Sequence, residues 1–322
     1  MKLFLQLMIA VLMTSLAAAS RVCAQEEADE ETEQRVESTL AAEANVIVTL
    51  CVGSGNVTVS GVERREVRAQ VGGDGRVELR RAGAASATGP AANIEVLVAD
   101  SPDEEPRRGA CGGNHDVALS VPREATLYLK TQAGDVEVED VAEARIEVAS
   151  GNISLRRVSR MVETTSMSGD ISLENSSGRI RLRTISGDIE AKDVRALNES
   201  DYFKADTVSG DLRLERVDQA HVEVTTVNGE VTMTGSLARD GRYDFRTTNG
   251  NIVLTLPSDA SFQVNAKVSQ GGEIVTDFPL KYANAAAPST TLQSGQLTGT
   301  YGTGNAMINL TSFNGTLYLR QR

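Results

Sequence analysis

The stretch Ser168–Val194 reads as three nine-residue lines, SGDISLENS from Ser168, SGRIRLRTI from Ser177 and SGDIEAKDV from Ser186. Each line opens on a Ser-Gly turn, places apolar residues at alternating positions and leaves on polar residues. Ile171 and Leu173, Ile180 and Leu182, and Ile189 and Ala191 hold the same two slots. A period of two, interrupted by turns at a fixed interval, is the signature of stacked strands in a repeat architecture.

Counting outward from these lines extends the register. Turn glycines fall at Gly134, Gly151, Gly169, Gly187, Gly210, Gly229, Gly250 and Gly271 or Gly272, spaced 17 to 23 residues apart, with Gly178 marking a half-rung. Positions +2 and +4 after each glycine are apolar, as in Val136 and Val138, Leu212 and Leu214, or Ile252 and Leu254. Positions −7 and −5 are mostly apolar as well, as in Ala144 and Ile146, Phe203 and Ala205, or Tyr243 and Phe245. Each rung therefore supplies two inward-facing strands, and each strand stacks on its copy about 4.8 Å away in the next rung. The reading is an all-β solenoid with rungs of about 18–21 residues, expected as a right-handed single-stranded β-helix. A propeller blade needs four strands and a longer period, and fits less well. The outward −6 column (Arg145, Glu163, Arg181, Lys204, Glu223, Asp244) mixes signs between rungs, which accounts for most of the charge as a solvated sheet face.

The regularity breaks at ALNESDYFKA (residues 196–205) and again from Pro279 to Gly304. A solenoid end has to be blunted against edge pairing. The Pro279–Gly304 loop and the charged Arg320-Gln321-Arg322 tail are the expected caps, with Asn314-Gly315, Leu317 and Leu319 as one more rung. Before Gly134 the strands are shorter and less regular: NVIVTLCVGSGNVTVSGV, EVRAQV, RVELRR and NIEVLV, separated by polar loops.

The 322 residues are 40% apolar but only 4% aromatic, with no Trp, so the core has to be built from Val, Ile, Leu and Ala. A formal charge of −12 argues against nucleic-acid binding, which needs a basic footprint, and an anionic lipid surface would repel the chain. Lys2, the apolar run Leu3–Ala19 and the small residues after it read as a secretory signal cleaved after Ala24 or Ala19. That run is short for a spanning helix, which takes about 20 residues. Cys23 makes a poor lipoprotein box, because Arg21 and Val22 precede it. No later segment can span a bilayer. The expected domains are residues 1–24 as signal peptide, 25–44 as an acidic linker (eight acids, one Arg) and 45–322 as solenoid. The solenoid divides into an irregular part at 45–133, regular rungs at 134–278, and a C-terminal loop and cap at 279–322. Losing Lys2 and Arg21 takes the charge from −12 to −14. Cys51 and Cys111 remain, and two cysteines in an exported chain are expected to be joined, with two buried free thiols as the alternative.

Lines such as TQAGDVEVEDV, ASGNISL, TVSGDLRLERV, TTVNGEVTMTG and TTNGNIVLTLP carry a repeated G-[DNE]-[VIL] with T-x-[NS]-G. Over roughly Asn45–Leu319 the chain resembles the putative-adhesin domain-of-unknown-function family, a β-strand-repeat domain of exported bacterial proteins similar to the head-GIN type. The resemblance implies an exported, non-enzymatic solenoid at or near the cell envelope, and it brings no catalytic residues with it.

An acidic row follows the turn glycines: Asp135, Asp170, Asp188, Asp211 and Glu230, with Asn152 and Asn251 interleaved. Stacked carboxylates can hold Ca²⁺, which makes Asp170, Asp188 and Asp211 the metal candidates. The plainer reading is that Asp and Asn favour such turns by bonding nearby backbone, and no metal site is assigned. GGDGRVELR at Gly72 matches a Ca²⁺ nonapeptide in part, but it is single. His115 and His221 have no partner placed by sequence. An enzyme acting on polysaccharide would need converging carboxylates, for which Asp188, Glu190 and Asp211, with Arg213 nearby, are the candidates. Tyr243, Phe245, Phe203 and Phe262 read as core, which leaves Tyr202, Tyr282, Tyr301 and Tyr318 as exposed aromatics. The irregular loops at 85–116, 198–204 and 279–304 are the better places for function than the regular rungs.

The expectation is a non-enzymatic cell-envelope binding, adhesin-like or structural module without a cofactor. Its place is the periplasm, cell surface or extracellular space, and its partner an envelope or surface component, protein or polysaccharide. The alternatives are a polysaccharide-acting enzyme on a β-helix scaffold and a periplasmic envelope-stress or sensory accessory protein.

Overall fold

The strands on either side of each turn glycine build two stacked columns. In the computed structural model the described residues are 36–83, 89–101, 103, 111–282 and 291–322. They form twenty-six strands and no helix. The first column stacks Thr126–Ala133, Glu143–Ser150, Met161–Ser168, Arg179–Arg183, Tyr202–Asp206, His221–Thr225 and Arg242–Asn249 in parallel. The second stacks Val136–Glu139, Ile153–Arg156, Ile171–Glu174, Ile189–Arg195, Leu212–Asp218, Val231–Thr234 and Ile252–Leu256. Register is copy on copy. Ile146 pairs with Thr164, and the row continues through Leu182, Ala205 and Val224 to Phe245.

The slots at +2, +4, −7 and −5 are buried along this region. Two further inward slots emerge. Position +7 points into the corner after the second strand, where Val141, Val158, Ser176, Val194 and Val217 are buried. Position −3 carries buried hydroxyls, among them Thr184, Thr207, Thr226 and Thr247. Each donates to the carbonyl of the turn glycine one rung back: Thr184 to Gly169 at 3.2 Å, Thr207 to Gly187 at 3.2 Å, Thr226 to Gly210 at 3.3 Å and Thr247 to Gly229 at 3.2 Å. The glycine itself is required twice over. At Gly169 φ is 134°, and an added Cβ would lie 2.1 Å from the Gly151 carbonyl oxygen. The T-x-[NS]-G line is thus a stacking device in which a buried hydroxyl, a paired polar residue and a glycine make the turn fit its neighbour.

Both ends depart from chain order. At the N-terminal end, residues 47–54 lie between Thr126–Ala133 and Ala91–Ala99, and Val57–Val62 lies between Val136–Glu139 and Val117–Pro122. The rung formed later in sequence therefore sits outside the earlier one. Arg76–Arg81 pairs antiparallel with Ala91–Ala99, and Glu66–Val71 pairs antiparallel with both residues 36–41 and Val117–Pro122. Residues 36–44, read from sequence as the end of the acidic linker, belong to the strand Val36–Ser54. Ladder pairing with residues 66–71 and the buried Ala42 outweigh the polar composition that suggested a tether. The expected signal peptide and residues 25–35 lie outside the described residues. Cys51 and Cys111 form a disulfide with Cα atoms 4.5 Å apart, which ties the first column to the strand Gly112–Asn114.

At the C-terminal end the expected order is overturned. The strand Ala306–Asn314 is parallel to both Arg242–Asn249 and Phe262–Thr276 and lies between them. Leu317–Gln321 lies likewise between Ile252–Leu256 and residues 274–276. The last rung fills a gap left by the one before it, and the Arg320–Arg322 tail is not the cap. Capping falls to Thr291–Tyr301, which runs antiparallel along Phe262–Thr276 inside the segment expected to be a loop. Phe278 packs edge to face on both Phe262 and Tyr301, and the Phe262 and Tyr301 rings are tilted to one another, with centroids 4.8–5.7 Å apart. Gly272, not Gly271, is the stacked turn glycine, because its Cβ would meet the Gly315 carbonyl at 1.9 Å.

Candidate functional site

Among the described residues the interior is packed mainly with aliphatic and aromatic side chains, and most charged groups lie on turns and outward faces. On the first column the −6 row runs without interruption from Glu95 through Thr49, Tyr128, Arg145, Glu163, Arg181, Lys204 and Glu223 to Asp244. Neighbouring rungs pair across it and across the −4 row: Lys130–Glu147 at 3.1 Å, Arg145–Glu163 at 3.8 Å and Lys204–Glu223 at 3.0 Å. Exposed pairs of this kind contribute about 0–1 kcal/mol each, so the row adds little to stability.

Among the described residues, depressions on this face include a larger and a smaller one. The larger, about 500 Å³, is lined by Thr49, Cys51, Glu95, Leu97, Tyr128, Lys130, Arg145, Glu147, Glu163 and Thr165 and the strand backbone beneath them. The Arg145 guanidinium lies 5.3 Å from the Tyr128 ring centroid. The smaller, about 330 Å³, gathers Tyr202, Lys204, His221, Glu223, Arg242, Asp244 and Arg246. There Arg242 pairs with Asp244 at 2.8 Å, and Asn309 from the inserted last rung donates to the same carboxylate at 2.7 Å.

The acidic turn row has a different use. Asp135 Oδ1 accepts from Asn152 N (2.8 Å), Asn152 Oδ1 from Asp170 N (3.0 Å), Asp170 Oδ1 from Asp188 N (2.8 Å), Asp188 Oδ1 from Asp211 N (2.8 Å) and Asp211 Oδ1 from Glu230 N (2.7 Å). At its ends Asn56 bonds Asp135 N, and Asn251 bonds Thr316 N. The row is a side-chain ladder that satisfies turn amides from rung to rung. Asn serves in it as well as Asp because one oxygen acceptor is all the ladder needs. The metal candidates Asp170, Asp188 and Asp211 thus share one column, each with one oxygen engaged. Among the described residues no three His, Cys, Asp or Glu side chains are grouped to hold an ion.

The corner after the second strand is left-handed without glycine: Asp140, Arg157, Asn175, Asp193 and Arg216 have φ between 51° and 58°. Arg157 clasps Asp140 with two 2.9 Å bonds, and Arg216 clasps Asp193 in the same bidentate way. The guanidinium hydrogen bonds hold both carboxyls below the ordinary aspartate value.

The two histidines lie apart. His115 Nε2 is 3.2 Å from the Asp100 carbonyl oxygen, and its ring fills the space left by Gly75, which accounts for the GGDG turn. His221 is exposed between Tyr202 and Arg242. Of the enzyme candidates, Asp188 and Asp211 serve the turn ladder, and Glu190 faces Arg213 across adjacent strands. Tyr301 is packed in the cap, with its hydroxyl donating to the Ser258 carbonyl, and Tyr318 stacks under Arg320. The side chain of Tyr282 lies outside the described residues, so Tyr202 is the exposed aromatic of the four that lines a depression. Tyr128 went unrecognised from sequence because TLYLK precedes the first counted glycine. Its alternation with buried Leu127 and Leu129 is the signal that marks it as outward. In the loop at 198–204, the buried Asp201 accepts from Leu197 N and Asn198 N, a turn-closing role. Residues 84–88, 102, 104–110 and 283–290 of the other two loops lie outside the described residues.

Fold and surface together define a class of protein: an all-β solenoid that spends its turn residues on stacking and offers its polar chemistry on outward sheet faces. The chain belongs to the Toastrack DUF4097 family, whose model matches residues 40–192 and 107–320. No curated protein shows a significant match to it. A putative adhesin from Parabacteroides distasonis is similar at 9% identity over 89% of this chain and 98% of that one, with a TM-score of 0.33. A putative cell adhesion protein from Clostridium sporogenes is similar at 10% identity over 90% and 100%, with a TM-score of 0.21. At such scores neither superposition bears on fold or function. Among the described residues no helix is long and apolar enough to cross a membrane.

Proposed function

We propose that this protein is an exported, non-enzymatic binding module of the cell envelope, and that the outward face of its first column is the contact surface. The observation that carries the reading is the 500 Å³ groove around Tyr128. An aromatic ring, hydroxyls from Thr49 and Thr165, and charged groups from Lys130, Arg145, Glu147 and Glu163 meet there on a rigid sheet. That mixture suits a polyhydroxylated chain, whose sugar faces stack on a ring while its hydroxyls bond carboxylates and guanidinium groups. Export is supported by the Lys2–Ala19 segment and by the Cys51–Cys111 disulfide, a bond that persists in oxidising compartments. The absence of catalysis is supported by the turn-ladder engagement of Asp188 and Asp211.

The test is fractionation of the native host, followed by co-sedimentation of the purified protein with insoluble envelope polysaccharide. Wild type is expected in an extracytoplasmic fraction and in the polysaccharide pellet, and Tyr128→Ala is expected to lose at least tenfold in affinity. Cytoplasmic recovery would overturn export. Equal pelleting of Tyr128→Ala, or none of wild type, would overturn the groove as a glycan site.

A further inference from the structure

The outward face of the first column changes sign partway along its length. At positions −8, −6 and −4 the strands Thr126–Ala133, Glu143–Ser150 and Met161–Ser168 carry Lys130 and Arg145 against Glu143, Glu147 and Glu163, a net charge of −1. On the next four strands the same positions carry Arg179, Arg181, Arg183, Lys204, Arg242 and Arg246 against Asp206, Glu223 and Asp244. With His221 neutral that is a net charge of +3, on a chain whose formal charge is −12. Arg179, Arg181 and Arg183 leave one strand on the same side, because Ile180 and Leu182 between them are buried. Glu223 is engaged by Lys204 at 3.0 Å, and Asp244 by Arg242 and Asn309. Arg179, Arg181, Arg183 and Arg246 are exposed and form no ion pair among the described residues, with Asp206 as the acid beside Arg183 in register. The depression of about 330 Å³ opens within this basic half, and the exposed ring of Tyr202 lines it together with His221 and Arg246.

We propose that this basic half is a second binding site, for one strand of a carboxylate-bearing polysaccharide lying along the solenoid axis. The arginine fork matches a carboxylate with two parallel hydrogen bonds, and the Tyr202 ring offers a stacking face for a sugar. Charge density selects the polymer. Four strands at roughly 4.8 Å span about 14 Å, so the face offers just under one net positive charge per rung. An extended glycan advances by close to one rung spacing per sugar, so a uronate chain presents its carboxylates at a matching density. A nucleic-acid strand carries a phosphate about every 3.4 Å, more than this face neutralises. Asp206, Glu223 and Asp244 would repel that excess, whereas they accept hydrogen bonds from sugar hydroxyls. An anionic membrane would have to approach the whole acidic chain. A single strand meets mainly the patch, because charges beyond about 10 Å are screened at 0.1 M salt. The proposal rests on the reading of this face as a glycan-contacting surface and not on the Tyr128 groove.

The test compares binding of the purified protein to an oligogalacturonate and to its fully methyl-esterified, uncharged counterpart, in calcium-free buffer at low salt and at about 0.5 M salt. Wild type is expected to bind the acid at least tenfold more tightly than the ester at low salt and to lose that preference at the higher salt. Arg183→Ala combined with Arg246→Ala is expected to weaken the acid at least tenfold, with ester binding and the thermal midpoint unchanged. Each single variant should do so in part, which serves if the double variant misfolds. Tyr202→Ala is expected to weaken acid and ester alike. A protein that pellets with envelope polysaccharide yet shows no preference for the acid overturns this proposal and leaves the Tyr128 groove standing. An acid preference that survives the arginine substitutions overturns it too, as does tighter binding of single-stranded DNA of equal charge than of the acid.

Discussion

The turn is where single residues decide this molecule. Gly169 has a φ open to few other residues, and its α-carbon sits against the carbonyl of the rung before. Gly169→Ala is therefore expected to cost at least about 2 kcal/mol, through positive-φ strain and the displaced Gly151 carbonyl. Urea unfolding measures it, and a loss under about 0.5 kcal/mol would show that the rungs are not in this contact. The neighbouring acid makes a sharper distinction. If Asp188 serves as the acceptor for Asp211 N, Asp188→Asn keeps the bond and is near neutral, whereas Asp188→Ala costs about 1 kcal/mol. Equal losses in the two variants, reversed by added Ca²⁺, would instead return the row to cation binding. The acid row was legible from residues 135–230 as a row, but not its use. Turn acceptors and ion ligands are the same residue types, and the choice between them rests on where one oxygen points.

At the scale of strands and corners, the first two inward slot pairs were readable because alternation is a period-two signal. The +7 corner and the −3 hydroxyl column were not, since each contributes one residue per rung and Thr or Ser looks like surface. The same holds for the left-handed corner, whose Asp140–Arg157 and Asp193–Arg216 clasps join residues 17 and 23 positions apart. Their carboxyls titrate lower in the folded protein than the ordinary value of about 4. The stability they contribute is therefore present above that value and is lost as pH falls through the folded-state one. Arg216→Ala is expected to lower the thermal midpoint at neutral pH and to flatten its decline between about pH 5 and 2. Parallel melting curves for the two proteins across that range would contradict the clasp.

For the whole molecule, the lesson lies at the ends. Ala306–Asn314 carries the same pattern as any other first-column strand, so its place between Arg242–Asn249 and Phe262–Thr276 could not be read from residue order. Parallel pairing leaves no local turn signal, and a rung can be filled by any later segment of matching register. The consequence is testable. Removing residues 305–322 takes out an internal rung, not a tail, and exposes two inner edges. The truncated protein is expected to aggregate or lose its cooperative transition. Retention of a cooperative melt within a few degrees of wild type would mean that the last rung lies at the surface.

Contact on outward faces and stacking in the turns should be separable in one experiment. Affinity for envelope polysaccharide and unfolding free energy are measured together for Tyr128→Ala, Arg145→Ala, Asp188→Ala and Thr226→Val. The first two are expected to lose at least tenfold in affinity with stability within about 0.5 kcal/mol of wild type, a range usual for surface positions. The last two are expected to lose about 1 kcal/mol with affinity unchanged. Full binding by both groove variants, or binding lost in step with stability across all four, would contradict the division between a structural turn and a recognising face.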